Sequence, residues 1–307
     1  MQDVSSQAAG AHVSEAKLKA SAARLSVAAA AFLIALKTLT GVMTGSISVW
    51  ASLLDSAMDI FASAINFYAV RAASVPPDED HRYGHGKAES LAGLFQSFMI
   101  GVSGLLLLLE AVRRILTPHP TASEWLGVGT MAVACGVSFA LVARLRQVAR
   151  QTDSPALTAD AVHYATDVYT NGAALGALLL VALTGWTLAD PLISLLISGF
   201  ILWSAVDVAR EAIHVLMDRR LPRAIDAQVA SVVERFRAEG VLGFHDLRTR
   251  RSGSLKFIDL HLEVEADQTL QQAHDLSVRV INAIKAEVPR SHVQIHTDPA
   301  EEMMNDE

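Results

Sequence analysis

Six long apolar runs, crowded into the first two thirds of the chain and joined by short polar connections, limit what this sequence can fold into more than any other feature. They fall at about 21–44, 48–72, 90–116, 125–145, 156–183 and 188–215. A bilayer core needs about 20 apolar residues in helical conformation. One such run alone is equally a buried helix of a soluble all-α protein. Six of them, followed by an abruptly polar segment, predict a six-helix membrane domain. Gly41 and Gly45, Pro76-Pro77, Pro118 and Pro120, Pro155 and Gly185 punctuate the runs as expected turns. Lys17 and Lys19 precede a first run long enough to span, so no cleavable signal is expected.

Charge sets the orientation. Lys17, Lys19, Arg24, Arg71, Arg82, Lys87, Arg144, Arg146, Arg150, Arg210, Arg219, Arg220 and Arg223 flank the runs on one side, and only Arg113 and Arg114 on the other. Thirteen cationic residues against two place the richer side, and both termini, in the cytoplasm. The expected organisation is a cytoplasmic N-terminal tail at 1–20, the transmembrane domain at 21–217, a cytoplasmic domain at 218–298 and an unstructured tail at 299–307. A net charge of −7 and the lack of a basic stripe with interleaved aromatics exclude a nucleic-acid partner. With Cys135 as its one cysteine, the chain has no intramolecular disulfide and no all-cysteine zinc site.

Beyond Leu221 the periodicity changes. Residues 223–239 read as an amphipathic helix that starts at Pro222 and stops at Gly240. Residues 244–251 and 255–265 read as strands turning at Ser252-Gly253. In the second strand Ile258, Leu260, Leu262 and Val264 alternate with Asp259, His261, Glu263 and Glu265, giving one buried and one wet face. A second helix at 269–288 and a strand at 292–297 complete an α-β-β-α-β order. That order predicts a small α+β domain with helices on one face of a three-stranded sheet.

The chemistry begins inside the membrane. Asp55 and Asp59 on the second run, and His163 and Asp167 on the fifth, are each spaced i, i+4 and share a helical face. Ionisable groups in a bilayer are costly and face the bundle interior or a pathway. Three carboxylates without a cationic neighbour on either run repel one another, and a divalent cation relieves this by taking one nitrogen and three oxygens. A second group, Asp78, His81 and His85, lies in the loop after the second run and converges if the chain turns at Gly84 and Gly86; Arg82 weighs against tight cation binding there. A third group, His245, His261, His274, His296 and Asp298, falls in the polar domain. His261 faces away from the buried stripe, and an aspartate there can bridge two metals.

The segments SLLDSAMDI, HRYGHGKAES, DAVHYATDV, FHDLRTRRSG, DLHLEVE and IHTDP carry a resemblance to the cation diffusion facilitators, and among them to the bacterial zinc and ferrous-iron efflux proteins. The resemblance covers nearly the whole chain. It implies a transport site at Asp55, Asp59, His163 and Asp167, a loop site at Asp78, His81 and His85, and a cytoplasmic two-metal site at His245, His261, His274, His296 and Asp298. It also implies a homodimer whose soluble domains meet, a salt bridge near its centre at the positions of Lys87 and Asp218, and a copper-chaperone-like shape for the soluble domain.

The expected function is efflux of a divalent metal through the inner membrane, in exchange for protons and by alternating access. Zn²⁺ is the expected cargo and the expected structural ion, with Fe²⁺ and Cd²⁺ compatible with the same donors. Metal ligands must shed protons to bind, and an ordinary imidazole titrates near pH 6.5, which makes His163 the expected proton carrier. A metal sensor without transport would leave the intramembrane quartet unexplained. A membrane metallo-hydrolase would need an open coordination position beside a general base, and no His-Glu-x-x-His occurs.

Overall fold

Each of the six apolar runs lies in a helix in the computed structural model, which describes residues 2–44, 47–117, 125–184 and 188–300. The helices are α1 (Gln2–Thr44), α2 (Ile47–Ala73), α3 (Lys87–Leu116), α4 (Trp125–Thr152), α5 (Pro155–Thr184) and α6 (Ala189–Leu216). α1 runs unbroken through Gly41 and extends back over the stretch expected as a tail. α4 continues seven residues past the expected 145, because Val148 and Ala149 still find an apolar cover against α1 and α5. Pro155 opens α5, where its missing N–H costs nothing. Gly45, Pro118, Pro120 and Gly185 lie outside the described residues.

Among the described residues α1, α3, α4 and α6 each contain a stretch long and apolar enough to cross a bilayer. α2 and α5, at 27 and 30 residues, are as long and carry Asp59, His163 and Asp167. The main core joins α1, α2, α4 and α5 around Ala23, Val70, Leu145, Leu157 and Tyr164. α3 approaches α6 closely: a methyl added to Gly104 would lie 2.8 Å from Ile201 Cγ2, so no larger residue fits without moving a buried branched side chain.

The chain divides into two units, residues 1–213 and 214–307. The second holds α7 (Arg223–Glu234), β1 (Val241–Ser252), β2 (Leu255–Val264), α8 (Leu270–Glu287) and β3 (Ser291–Pro299). The sheet order is β1-β2-β3, antiparallel across the first pair and parallel across the second. This is the α-β-β-α-β domain expected from the sequence.

Three boundaries of this domain differ by more than one residue, one of them the start of β1, which lies at Val241 and not at 244. α7 ends at Glu234 and not at 239, since Arg235 and Phe236 donate to carbonyls three residues back and the chain tightens into a 3₁₀ turn at Arg237–Glu239. β3 extends through Pro299, where Ala300 N–H donates to Val264 O at 2.8 Å. Residues 301–307 lie outside the described residues.

Ile258, Leu260, Leu262 and Val264 of β2 pack with Val229 and Val233 of α7 and with Leu276, Val280 and Ile284 of α8. Each such side chain contributes about 1.5–3 kcal/mol on leaving water. α8 starts with a capping box: Gln272 N–H donates to Thr269 Oγ1 and Thr269 N–H to Gln272 Oε1, a cap of about 1 kcal/mol. Both helices cover one face of the sheet, so the alternate residues of β2 face the other way.

Candidate metal centres

The bundle brings α2 and α5 together at the level of the predicted quartet. His163 is 3% exposed, and its Nε2 lies 3.1 Å from Asp59 Oδ1. One donor atom each from Asp59, His163 and Asp167 falls within 4.8 Å of the others. Among the described residues no hydrogen-bond partner meets the buried His163 Nδ1, which leaves a ring nitrogen available to a ligand. Asp55 stands one turn before Asp59 in the α2 backbone, but its side chain lies outside the described residues. Three donors from two helices within 4.8 Å of one another are a group that could hold a small divalent ion.

The loop group also converges. His81 N–H donates to Asp78 Oδ1 at 2.6 Å, and His85 Nε2 lies 3.2 Å from Asp78 Oδ2. The turn that permits this passes through Gly84 at φ +80, a conformation that L side chains rarely adopt. The backbone N–H of His81, and then the charges of His85 and His81, hold the Asp78 carboxyl below the usual carboxylate range. Asp78 and His81 are open to solvent, at 49% and 61%, whereas His85 is 21% exposed.

In the cytoplasmic unit β-sheet register does the assembling. His245 pairs with His261 across β1 and β2, and His261 pairs with His296 across β2 and β3, so three imidazoles stand in one row. Neighbouring ring centroids are 5.0 and 4.8 Å apart. Asp298, two residues beyond His296, reaches back into the row. Its Oδ2 lies 2.8 Å from His261 Nδ1 and 3.3 Å from His245 Nε2, and its Oδ1 lies 3.1 Å from His296 Nε2. The hydrogen bond with His261 holds the Asp298 carboxyl below the usual range, and the charges of His296, His261 and His245 act in the same direction. A β-bulge between His245 and Arg248, with Asp246 at φ +50, ends the regular pairing beside His245. One donor atom each from His245, His261 and Asp298 falls within 4.8 Å of the others, as in the bundle site. His274 does not join them: it is an exposed residue of α8, and the helices cover the opposite face of the sheet.

Lys87 opens α3, and Asp218 lies just past α6 with Arg250 Nη1 at 3.5 Å. The two positions belong to separate units. Sequence reasoning passed over two buried polar groups in the bundle. Asp160, fully buried, accepts from Ser26 Oγ at 2.6 Å, and Lys19 pairs with Glu89 at 2.9 Å. The signal for each was present, as a carboxylate one turn before His163 and as opposite charges at the margins of two apolar runs.

The cation efflux transmembrane-domain family matches residues 23–217, and the cation efflux protein cytoplasmic-domain family, a dimerising domain, matches residues 221–300. The cation-efflux pump FieF of Salmonella paratyphi A is 42% identical over 283 residues, 92% of this chain and 93% of that one. FieF of Yersinia pestis (strain Pestoides F) is 43% identical over 278 residues, 91% and 92% of the two chains. The Zn form of CzrB, a solved structure, aligns at 34% identity over 28% of this chain and 96% of that chain, with a TM-score of 0.26. An apolar helical bundle with an acidic centre, continued by an α-β-β-α-β domain, and matches over both parts of its length make the chain a multi-pass membrane transporter with a cytoplasmic C-terminal domain, a member of the cation efflux, or cation diffusion facilitator, family.

Proposed function

We propose that the cargo is Zn²⁺, bound by Asp55, Asp59, His163 and Asp167 and exchanged for protons as the bundle alternates between two accessible faces. The observation that carries this reading is the convergence of Asp59, His163 and Asp167 from α2 and α5 in the bundle interior. One imidazole with carboxylates suits zinc and cadmium, whereas a set of oxygens alone would favour harder ions. Fe²⁺ fits the same donors and is the second candidate. Ligands must be deprotonated to hold the metal, so loading displaces protons and returning protons favour release.

The cytoplasmic row of His245, His261 and His296 with Asp298 is a second zinc site, structural or sensing, in a homodimer. Asp78, His81 and His85 form a weaker, solvent-open site. The thirteen-to-two charge asymmetry supports an inner-membrane protein with both termini in the cytoplasm.

Proteoliposomes settle cargo and coupling together. Zinc should outpace Fe²⁺ and Cd²⁺, and an imposed pH gradient should accelerate zinc flux. Equal zinc rates with and without the gradient would sink the exchange mechanism. Faster Fe²⁺ flux would move the cargo assignment to iron.

A further inference from the structure

α3, α5 and α6 meet at one end of the bundle: a methyl on Gly93 would lie 3.7 Å from Ala159 Cβ and 3.9 Å from Ala212 Cβ. Ala212 is in the final turns of α6, from which the chain continues into its cytoplasmic domain, so this is the cytoplasmic end. Here Lys19 of α1 places Nζ 2.9 Å from Glu89 Oε1 of α3. The hydroxyl of Ser154, at the start of α5, donates to the other oxygen of Glu89 and accepts from Leu157 N–H at 3.3 Å. Lys19, Glu89 and Ser154 are 5%, 1% and 0% exposed. Glu15, one turn earlier on α1, stands 3.6 Å from Lys19 Nζ.

Deeper in the bundle, Ala22, Ala23, Leu145, Val148, Leu157 and Ala161 pack into an apolar plug. Beneath it Ser26 donates to Asp160, and Tyr164 OH donates to Ser26 O at 3.1 Å. His163 follows Asp160 on α5 by one turn. The plug and its polar ties therefore stand between the candidate transport site and the cytoplasmic end, beside the contact of α1 with α3 and α5.

We infer that Lys19, Glu89 and Ser154 are positioning residues that form a cytoplasmic latch, closed in this structure, whose opening admits metal to the Asp59/His163/Asp167 site. The inference rests on that site being the loading site. A buried ion pair is suited to the task because its Coulomb attraction and its desolvation cost nearly cancel. On opening to cytoplasmic water both charges recover their hydration, whereas apolar packing would resist separation in proportion to the area exposed. The pair holds α1 in one geometry when closed and costs little to release.

The test uses the full chain in inverted vesicles, with Cys135→Ser and Ala23→Cys placing one thiol in the plug, and a membrane-impermeant maleimide as probe. Glu89→Gln should speed labelling roughly tenfold, the scale of a typical coupling between two states. Ser154→Ala, which leaves the ion pair intact, should speed it about threefold, and the swap Lys19→Glu/Glu89→Lys should return it to within about twofold of the parent. The zinc KM measured from the cytoplasmic side should fall with Glu89→Gln, because a larger share of the protein is competent to load; simple destabilisation would lower the active fraction and leave KM unchanged. Parental labelling in folded Glu89→Gln, or in Ser154→Ala if Glu89→Gln does not fold, overturns the latch. Labelling needs no transport, so latch-dependent labelling combined with undiminished zinc flux in Asp59→Ala would instead remove the site reading on which the latch depends.

Discussion

The bundle site and the cytoplasmic site use the same chemistry, imidazole and carboxylate, in opposite surroundings. In the bundle, His163 is almost fully buried and its neighbours come from two helices that must pack correctly before the donors meet. In the cytoplasmic domain the row of His245, His261 and His296 lies on the face of the sheet left uncovered by α7 and α8, with its side chains partly in water. Burial makes the ionised groups of the first site costly without a counter-ion, which favours binding followed by release along a pathway. The second site costs little when empty, since its side chains stay partly hydrated. The proposed function therefore assigns carriage to the first site and sensing or stapling to the second.

The largest effect should come from the buried site. Asp59→Ala should lower zinc flux in proteoliposomes by about 100-fold or more, the scale expected when an essential donor is lost. His261→Ala should leave maximal flux within about threefold while shifting the zinc concentration for half-maximal flux by roughly tenfold. Size-exclusion chromatography of the same variant separates the two roles: an intact dimer supports sensing, and dissociation supports a staple. If His261→Ala abolished flux as Asp59→Ala does, the division of labour between the sites would fail.

The fold was legible because its causes are local. Six runs of spanning length, the alternation at Ile258 to Glu265 and the stops at Gly240 and Ser252-Gly253 each act within a few residues. The i, i+4 spacing put Asp59, and His163 with Asp167, on usable helix faces, but convergence of α2 with α5 is a packing outcome that spacing alone does not determine. The cytoplasmic row shows the limit from the other side. That His245, His261 and His296 align depends on strand register, including a bulge at His245 that no sequence pattern announced. Lys19 and Glu89, 70 residues apart, were legible only as charges at the margins of apolar runs until tertiary structure joined them.

Two smaller effects sharpen the contrast in exposure. Asp298 has its carboxyl held low in the folded chain, chiefly by His261, so this tie stabilises the fold above the ordinary carboxylate range and is lost as pH falls through the depressed value. Asp298→Asn should therefore lower the melting temperature of the metal-free protein at neutral pH, and the gap from the parent should close in acid. A gap that persisted or widened in acid would contradict the assignment. Asp78→Asn should have the smallest effect, leaving flux within about twofold, since its solvent-open loop contributes little that water does not replace. A loss comparable to that of Asp59→Ala would place the loop on the obligatory pathway.

The most direct test compares zinc flux into proteoliposomes across a fixed pH gradient for the parent, His163→Ala and His261→Ala at saturating zinc. Flux should collapse in His163→Ala and persist in His261→Ala. Robust, gradient-driven zinc flux in His163→Ala would contradict the account, because the metal would then cross the membrane without the imidazole that joins α5 to Asp59.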